Sequence, residues 1–206
     1  VSSHALSLGR VRGCHYDVAV FTNLSQDHLD FHETMEDYLA AKGLLFAQLG
    51  NGYGQKNVPI AIFNVDDPSF EVLQSMTAVP LLTYGIKNDA DITAENIVLH
   101  EAGTNFTMKT RNEKVPIQLK LVGTFSVYNA LAAASAAYAL GIPLKQIKKS
   151  LESVEGVAGR FERVRVNSDF HIIVDYAHTP DSLENVLRTC REFAKGKVSV
   201  VVGCGG

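Results

Sequence analysis

The 206-residue sequence has no tryptophan, only three cysteines and six prolines, and no surplus of positive charge. Nineteen Lys and Arg stand against 22 Asp and Glu, for a formal net charge of −3. That balance offers no basic excess for the phosphate backbone, which argues against nucleic acid as a main partner. The cysteines, Cys14, Cys190 and Cys204, are odd in number and far apart. They make neither a disulfide framework nor a C-x-x-C metal pair, and so favour a reducing compartment. No run approaches the roughly 18 apolar residues of a membrane span. The longest, 130–140, is short and mostly alanine. A basic-then-apolar leader and an initiating Met are both missing. The chain opens on Val1-Ser2-Ser3-His4 and stops on Cys204-Gly205-Gly206 after a strand-like run, and it reads as a soluble cytoplasmic fragment cut at both ends.

What is present is a 46% hydrophobic sequence, long enough to bury a core. Strand-like and helix-like segments alternate. Residues 17–23, 59–64 and 81–84 are short continuous apolar runs of the buried-strand kind. Thr34-Met35-Glu36-Asp37 opens a helix to about Leu49, stopped by Gly50 and Gly52, and residues 68–76 make a second helix. This spacing predicts a parallel sheet with crossover helices. Segments 92–99, 105–110 and 115–122 predict an antiparallel meander with turns at 102–104 and 111–113. An Ala-rich helix over 125–140 and a shorter one over 144–153 follow. Gly156-Val157-Ala158-Gly159 reads as a hinge. Strands near 161–166, 171–175 and 198–202 flank a helix that starts at Pro180 with Thr179 as its cap. The fold class is therefore α/β, with the division between a central domain and the start of a second placed at about residue 160.

Several polar groups stand where such sheets bind ligands, past the C-terminal ends of strands. Residues 22–32 bring Asp27, His28, Asp30 and His32 together, either as a solvated loop or as a metal or phosphate site. Lys42 lies on the stripe formed by Met35, Tyr38, Leu39, Leu45, Phe46 and Leu49. It either snorkels or holds its amine in a dry site, where an uncharged amine can add carbon dioxide and become an anionic ligand. Asn129 sits among alanines, exposed or free to read a flat ring's edge. Arg160 in the hinge is either a surface residue or a phosphate contact across a cleft. Asp175, His178 and Thr179 cluster between a strand and a helix, where capping by Thr179 alone is the plainer account. Val202-Gly203-Cys204-Gly205-Gly206 only hints at a dinucleotide-binding turn.

Four stretches in order, VSSHALSLGR at 1–10, TNLSQDHLDFHETMEDYLAAK at 22–42, VGTFSVYNALAAA at 122–134, and GVAGRFERV with DYAHTPDSLENVL at 156–164 and 175–187, resemble the Mur ligase family of ATP-dependent amide ligases. They are most similar to the branch that adds a diamino acid, meso-diaminopimelate or L-lysine, to a UDP-N-acetylmuramoyl-dipeptide. The resemblance implies a P-loop-type central domain followed by the start of a Rossmann-like C-terminal domain. It implies ATP and Mg2+ as cofactors, with His28 and a carbamylated Lys42 holding metal. Asn129 would contact adenine, Arg160 phosphate and Asp175 ribose, with His178 in the same motif. Ser2 and Arg10 would hold the muramoyl-peptide. Two departures stand out: Ser126 where relatives often carry Asn, and Ala158 in place of a common proline. The family's P-loop, its magnesium-binding glutamate and its UDP-binding domain would precede Val1, and the groups that read the amino acid would follow Gly206. The 206 residues alone are therefore expected to be inactive. Three other readings remain: a folylpolyglutamate-type ligase, a metal-dependent phosphohydrolase built on the His/Asp cluster, and a non-enzymatic nucleotide-binding module.

Overall fold

A computed structural model describes residues 1–26, 31–52, 57–164 and 166–203. A six-stranded sheet forms in simple chain order: β1 (Val18–Phe21), β2 (Ile60–Asn64), β3 (Leu81–Gly85), β4 (Ile92–His100), β5 (Gly103–Lys109) and β6 (Lys114–Leu119). The first four strands run parallel, β5 pairs antiparallel with β4, and β6 pairs antiparallel with β5. The meander therefore extends the parallel sheet as its far edge. The parallel strands are continuous apolar runs because both faces are covered. Ala19, Phe21, Ala61 and Phe63 face one layer, against Phe46 of α2 (Met35–Ala47), Leu49 just past its end and Leu73 of α3 (Phe70–Ser75). Ile62, Tyr84 and the meander residues Phe106, Met108 and Ile117 face the other, against Val127 and Leu131 of α4 (Thr124–Ala139) and Ile147 of α5 (Leu144–Ser153).

Local chemistry sets the helix ends. A short helix α1 (Ser3–Ser7) opens the chain, and α2 (Met35–Ala47) begins at Thr34, whose hydroxyl oxygen accepts the Asp37 N–H at 3.1 Å. The capping box is only half made, since the Asp37 carboxylate takes the Thr34 hydroxyl instead of reaching the backbone. The helix expected over 68–76 starts two residues late because Asp67 accepts the Ser69 N–H at 2.8 Å, making a turn first. α4 ends in a Schellman motif. Gly141, at φ +78°, donates to Tyr138, and Ile142 donates to Ala137. The first meander turn falls one residue earlier than expected, at 101–102. Gly103 is the first residue of β5, and its backbone lies against the Leu119 carbonyl, leaving no space for a Cβ.

Beyond the hinge, β7 (Glu162–Val164) and β8 (Ile172–Val174) pair antiparallel, and α6 (Pro180–Phe193) follows behind a complete Thr179–Ser182 capping box. The strand expected at 198–202 does not form: among the described residues it has no ladder partner, and Val200, Val201 and Val202 are exposed. A strand exists only through the neighbour that takes its hydrogen bonds, and an apolar run cannot supply one by itself.

Candidate functional site

The loop that leaves β1 is tied down from three sides. Tyr84 donates its hydroxyl to the Phe21 carbonyl at 3.1 Å, Asn64 its side-chain amide to the Thr22 carbonyl at 2.8 Å, and Leu24 its N–H to Asp67 at 2.8 Å. Burial and the Asp67 charge push the Tyr84 phenol up, which keeps it a neutral donor. These ties bring Asn23 and Ser25 to a cleft described below. The metal-ligand candidate His28, with Asp27 and Asp30, lies outside the described residues.

On the α1–α2 face, His32 is buried and its Nε2 lies 2.8 Å from the Ser3 hydroxyl oxygen. Its ring stacks on Tyr38 at 5.2 Å and 18°, and Lys42 Nζ stands 4.8 Å from the centroid of the same Tyr38 ring. Lys42 is half-buried, on the stripe its spacing predicts. Ser2 caps α1 by accepting the Ala5 N–H at 3.2 Å, and Arg10 is exposed beyond the end of α1. Sequence reasoning passed over His32, Ser3 and Tyr38 as a unit. The signal was there in the spacing of Tyr38 and Lys42, four residues apart on one helix face.

A second region brings together distant segments. A cleft of about 1290 Å³ is walled by the loop after β1, the first turns of α4, the hinge, the β7–β8 hairpin and α6. Asn129, Arg160 and Asp175 all line it, whereas His178 and Lys42 do not. Ser126 also lines it, but its hydroxyl donates to the Val122 carbonyl at 2.9 Å. Asp175 is engaged by backbone on both oxygens, accepting the Phe161 N–H at 2.6 Å and the Ala177 N–H at 2.8 Å. Phe161 has φ +45° and packs edge-on between Phe125 of α4, at 5.6 Å, and Phe193 of α6, at 6.3 Å. Across the same boundary Arg163 donates to the Glu101 carbonyl at 3.2 Å.

Behind the cleft, Asp66 braces α4. Its carboxylate accepts three backbone N–H groups, from Ile86, Lys87 and Asn88, the Asn88 amide, and the Tyr128 hydroxyl at 2.8 Å. Burial pushes this carboxyl up, yet the donors outweigh it and hold Asp66 below its ordinary value. Tyr128 is raised in turn by burial and by the Asp66 charge. Tyr128 directly precedes Asn129, so the brace holds α4 at the same turn that carries that amide. No residue-type pattern in the sequence announced it.

The cleft is larger than the roughly 300–1,000 Å³ of ordinary ligand pockets and mixes apolar wall with convergent polar groups. A metal site is not made by the described residues alone, since among them no three His, Cys, Asp or Glu side chains converge.

Comparison with known proteins adds the family. The Mur ligase middle domain matches residues 1–137, and the Mur ligase glutamate ligase domain matches residues 159–206. The chain belongs to the Mur ligase family. It is 60% identical over all 206 residues to the UDP-N-acetylmuramoyl-L-alanyl-D-glutamate–2,6-diaminopimelate ligase of Halalkalibacterium halodurans, and 55% identical to the enzyme of that name from Bacillus velezensis. In each case it covers 42% of the relative's length, so this chain spans less than half of those Mur ligases. A solved structure of a ligase of the same name aligns over the whole chain and 42% of its own, at 32% identity and a TM-score of 0.79. The mixed α/β sheet is thus the Mur ligase fold.

Proposed function

We propose that this chain is the nucleotide-handling part of an ATP-dependent ligase that adds 2,6-diaminopimelate to UDP-N-acetylmuramoyl-L-alanyl-D-glutamate in peptidoglycan synthesis. One observation carries the reading: Asn129, Arg160 and Asp175, from separate segments of the chain, line a single cleft of about 1290 Å³. The relatives' names supply the substrates, and the identity of 55–60% supports diaminopimelate over lysine. In this reaction the D-glutamate carboxylate takes the γ-phosphoryl group of ATP, releasing ADP. The amine of the diamino acid then attacks the acyl phosphate, forming the amide and releasing phosphate.

In that scheme Asn129 reads the adenine edge and Asp175 contacts the ribose. Arg160 steadies the negative charge that develops on the transferring phosphoryl group. His28 and Lys42, the latter as its carbamate, would hold Mg2+, whose contribution when bound is to neutralise phosphate charge. Ser2 and Arg10 would meet the muramoyl-peptide. We place the division between the central and C-terminal parts at about residue 160, where Gly156 and Gly159, both at positive φ, flank open space. The free thiols of Cys14 and Cys190 suit the cytoplasm, where nucleotide-linked precursors are made.

The test is steady-state kinetics on the full-length protein. Arg160→Ala should lower kcat, and Asn129→Ala should raise the KM for ATP, with diaminopimelate strongly preferred over lysine as acceptor. Wild-type ATP kinetics in both variants would overturn the cleft assignment. Equal use of lysine would overturn the substrate.

A further inference from the structure

Arg160 is placed by a contact that none of these roles explains. Its Cζ lies 4.7 Å from the centroid of the Tyr176 ring. Tyr176 is 63% exposed, so burial of apolar surface is not what fixes the ring. His178 also meets this ring edge-on, with ring centroids 5.1 Å apart at 66°. The Nδ1–H of His178 donates to the Tyr176 carbonyl at 3.0 Å, which locks the imidazole against the residue it supports. We propose that Tyr176, buttressed by His178, is a positioning residue that holds the Arg160 guanidinium ready for phosphate. This inference rests on the phosphate role of Arg160 proposed above.

The arrangement is a double grip. Asp175 accepts the N–H of Phe161, while the adjoining Tyr176 carries the side chain of the adjoining Arg160. Two consecutive residues of the hinge are thus held by two consecutive residues of the segment after β8. A backbone turn closed by the Arg160 N–H on the Val157 carbonyl at 3.0 Å fixes where Arg160 starts, and the grip is needed to direct its side chain. Gly156 and Gly159 have nothing within 4 Å of where a Cβ would stand, and Phe161 is in the left-handed region. An aromatic face suits a guanidinium that must later meet an anion. It orients the plane through its π-density, leaves the N–H edges available, and asks for no charge to be given up. A carboxylate in the same place would compete with phosphate for those N–H groups. The grip also gives His178, which does not reach the cleft, a part in the site.

The experiment compares Tyr176→Leu, Tyr176→Phe and Arg160→Ala, singly and combined, in the full-length protein. The kcat for ligation and ATP affinity by equilibrium titration are both measured, and the Arg160 Nε resonance is followed by 15N NMR. Tyr176→Leu should lower kcat by about two- to fivefold, the size of an exposed cation–π contact. Tyr176→Phe, which keeps the ring, should recover most of that loss, and Tyr176→Leu should add nothing in the Arg160→Ala background. The Arg160 Nε signal should carry a ring-current shift that Tyr176→Leu removes and Tyr176→Phe retains. Additive losses in the double variant, or an Nε signal indifferent to the ring, would overturn the inference. If Arg160→Ala alone leaves ATP affinity and turnover intact, the phosphate role falls instead, and the Nε signal still reports whether the ring holds the guanidinium.

Discussion

Lys42 shows what one residue's surroundings can and cannot do. Its place on the buried stripe of α2 follows from spacing. Its neighbour Tyr38, with Nζ 4.8 Å from the ring, is a contact that only the folded helix brings about. If Lys42 acts as a carbamate ligand, Lys42→Ala in the full-length protein should nearly abolish ligation while leaving the circular dichroism spectrum unchanged. A small carboxylic acid added to the assay should then restore part of the activity, and an alanine variant with ordinary turnover would return Lys42 to simple snorkelling. Asp66 offers a test by pH. Its pKa is lower in the folded protein than its ordinary 3.8, so its contribution is present above that value and is lost as pH falls through the folded one. Asp66→Asn is expected to cost on the order of 1 to 2 kcal/mol near neutrality, since it strips charge from hydrogen bonds that are partly exposed. The Tm difference from wild type should narrow below about pH 4. A gap independent of pH would mean that the brace does not need the charge.

At the scale of elements, two glycines at positive φ separate conformational from steric demand. Gly141 closes α4 with open space around it, so Gly141→Ala should cost about 1 kcal/mol, the strain of a left-handed alanine. Gly103 would place a Cβ 1.9 Å from the Leu119 carbonyl oxygen, a collision with backbone where the start of β5 meets the end of β6. Gly103→Ala should therefore cost well over about 2 kcal/mol, and urea denaturation of the two variants gives the comparison directly. Both glycines are visible in the sequence, but only Gly141 reads there as a helix stop. Gly103 reads as an ordinary turn residue, because its constraint comes from a strand sixteen positions away. The late start of α3 has the same character. Asp67 turns the chain with one oxygen and holds Leu24 with the other, and the second bond is invisible until β1 and β2 are side by side.

In the whole molecule, the cleft depends on how the segment after the hinge sits against α4. Phe161 is the pin, clamped by Phe125 and Phe193, with the Asp175 carboxylate on its N–H. Phe125→Ala should loosen that clamp. Amide exchange across 156–161 is expected to quicken by about two- to tenfold, the worth of one aromatic pair, while the amides of β2 keep their protection. Equal acceleration in both places would indicate global destabilisation and remove the pin from the account.

The alternation of strands and helices from β1 to α6, the parallel character of the first three strands and the helix caps at Thr34 and Thr179 were legible in the sequence, whereas the parallel pairing of β4 with β3 and the short helix α1 were not. The legible features depend on local patterning, on apolar runs, capping side chains and stop residues within one turn or one strand. The candidate residues were legible from local signals of different kinds: a polar loop past the end of a parallel strand for 22–32, helix spacing for Lys42 and alanine neighbours for Asn129. Tertiary structure alone decided which of them meet. Asn129, Arg160 and Asp175 converge on the cleft. Lys42 stands apart with Tyr38 and His32, and His178 turns to Tyr176. It likewise decided that 198–202, a strand-like apolar run, has no ladder partner among the described residues. Pattern fixes which face of an element is apolar, but the groups that complete a site, a brace or a ladder belong to segments far away in the chain, and only packing brings them within a hydrogen bond's reach.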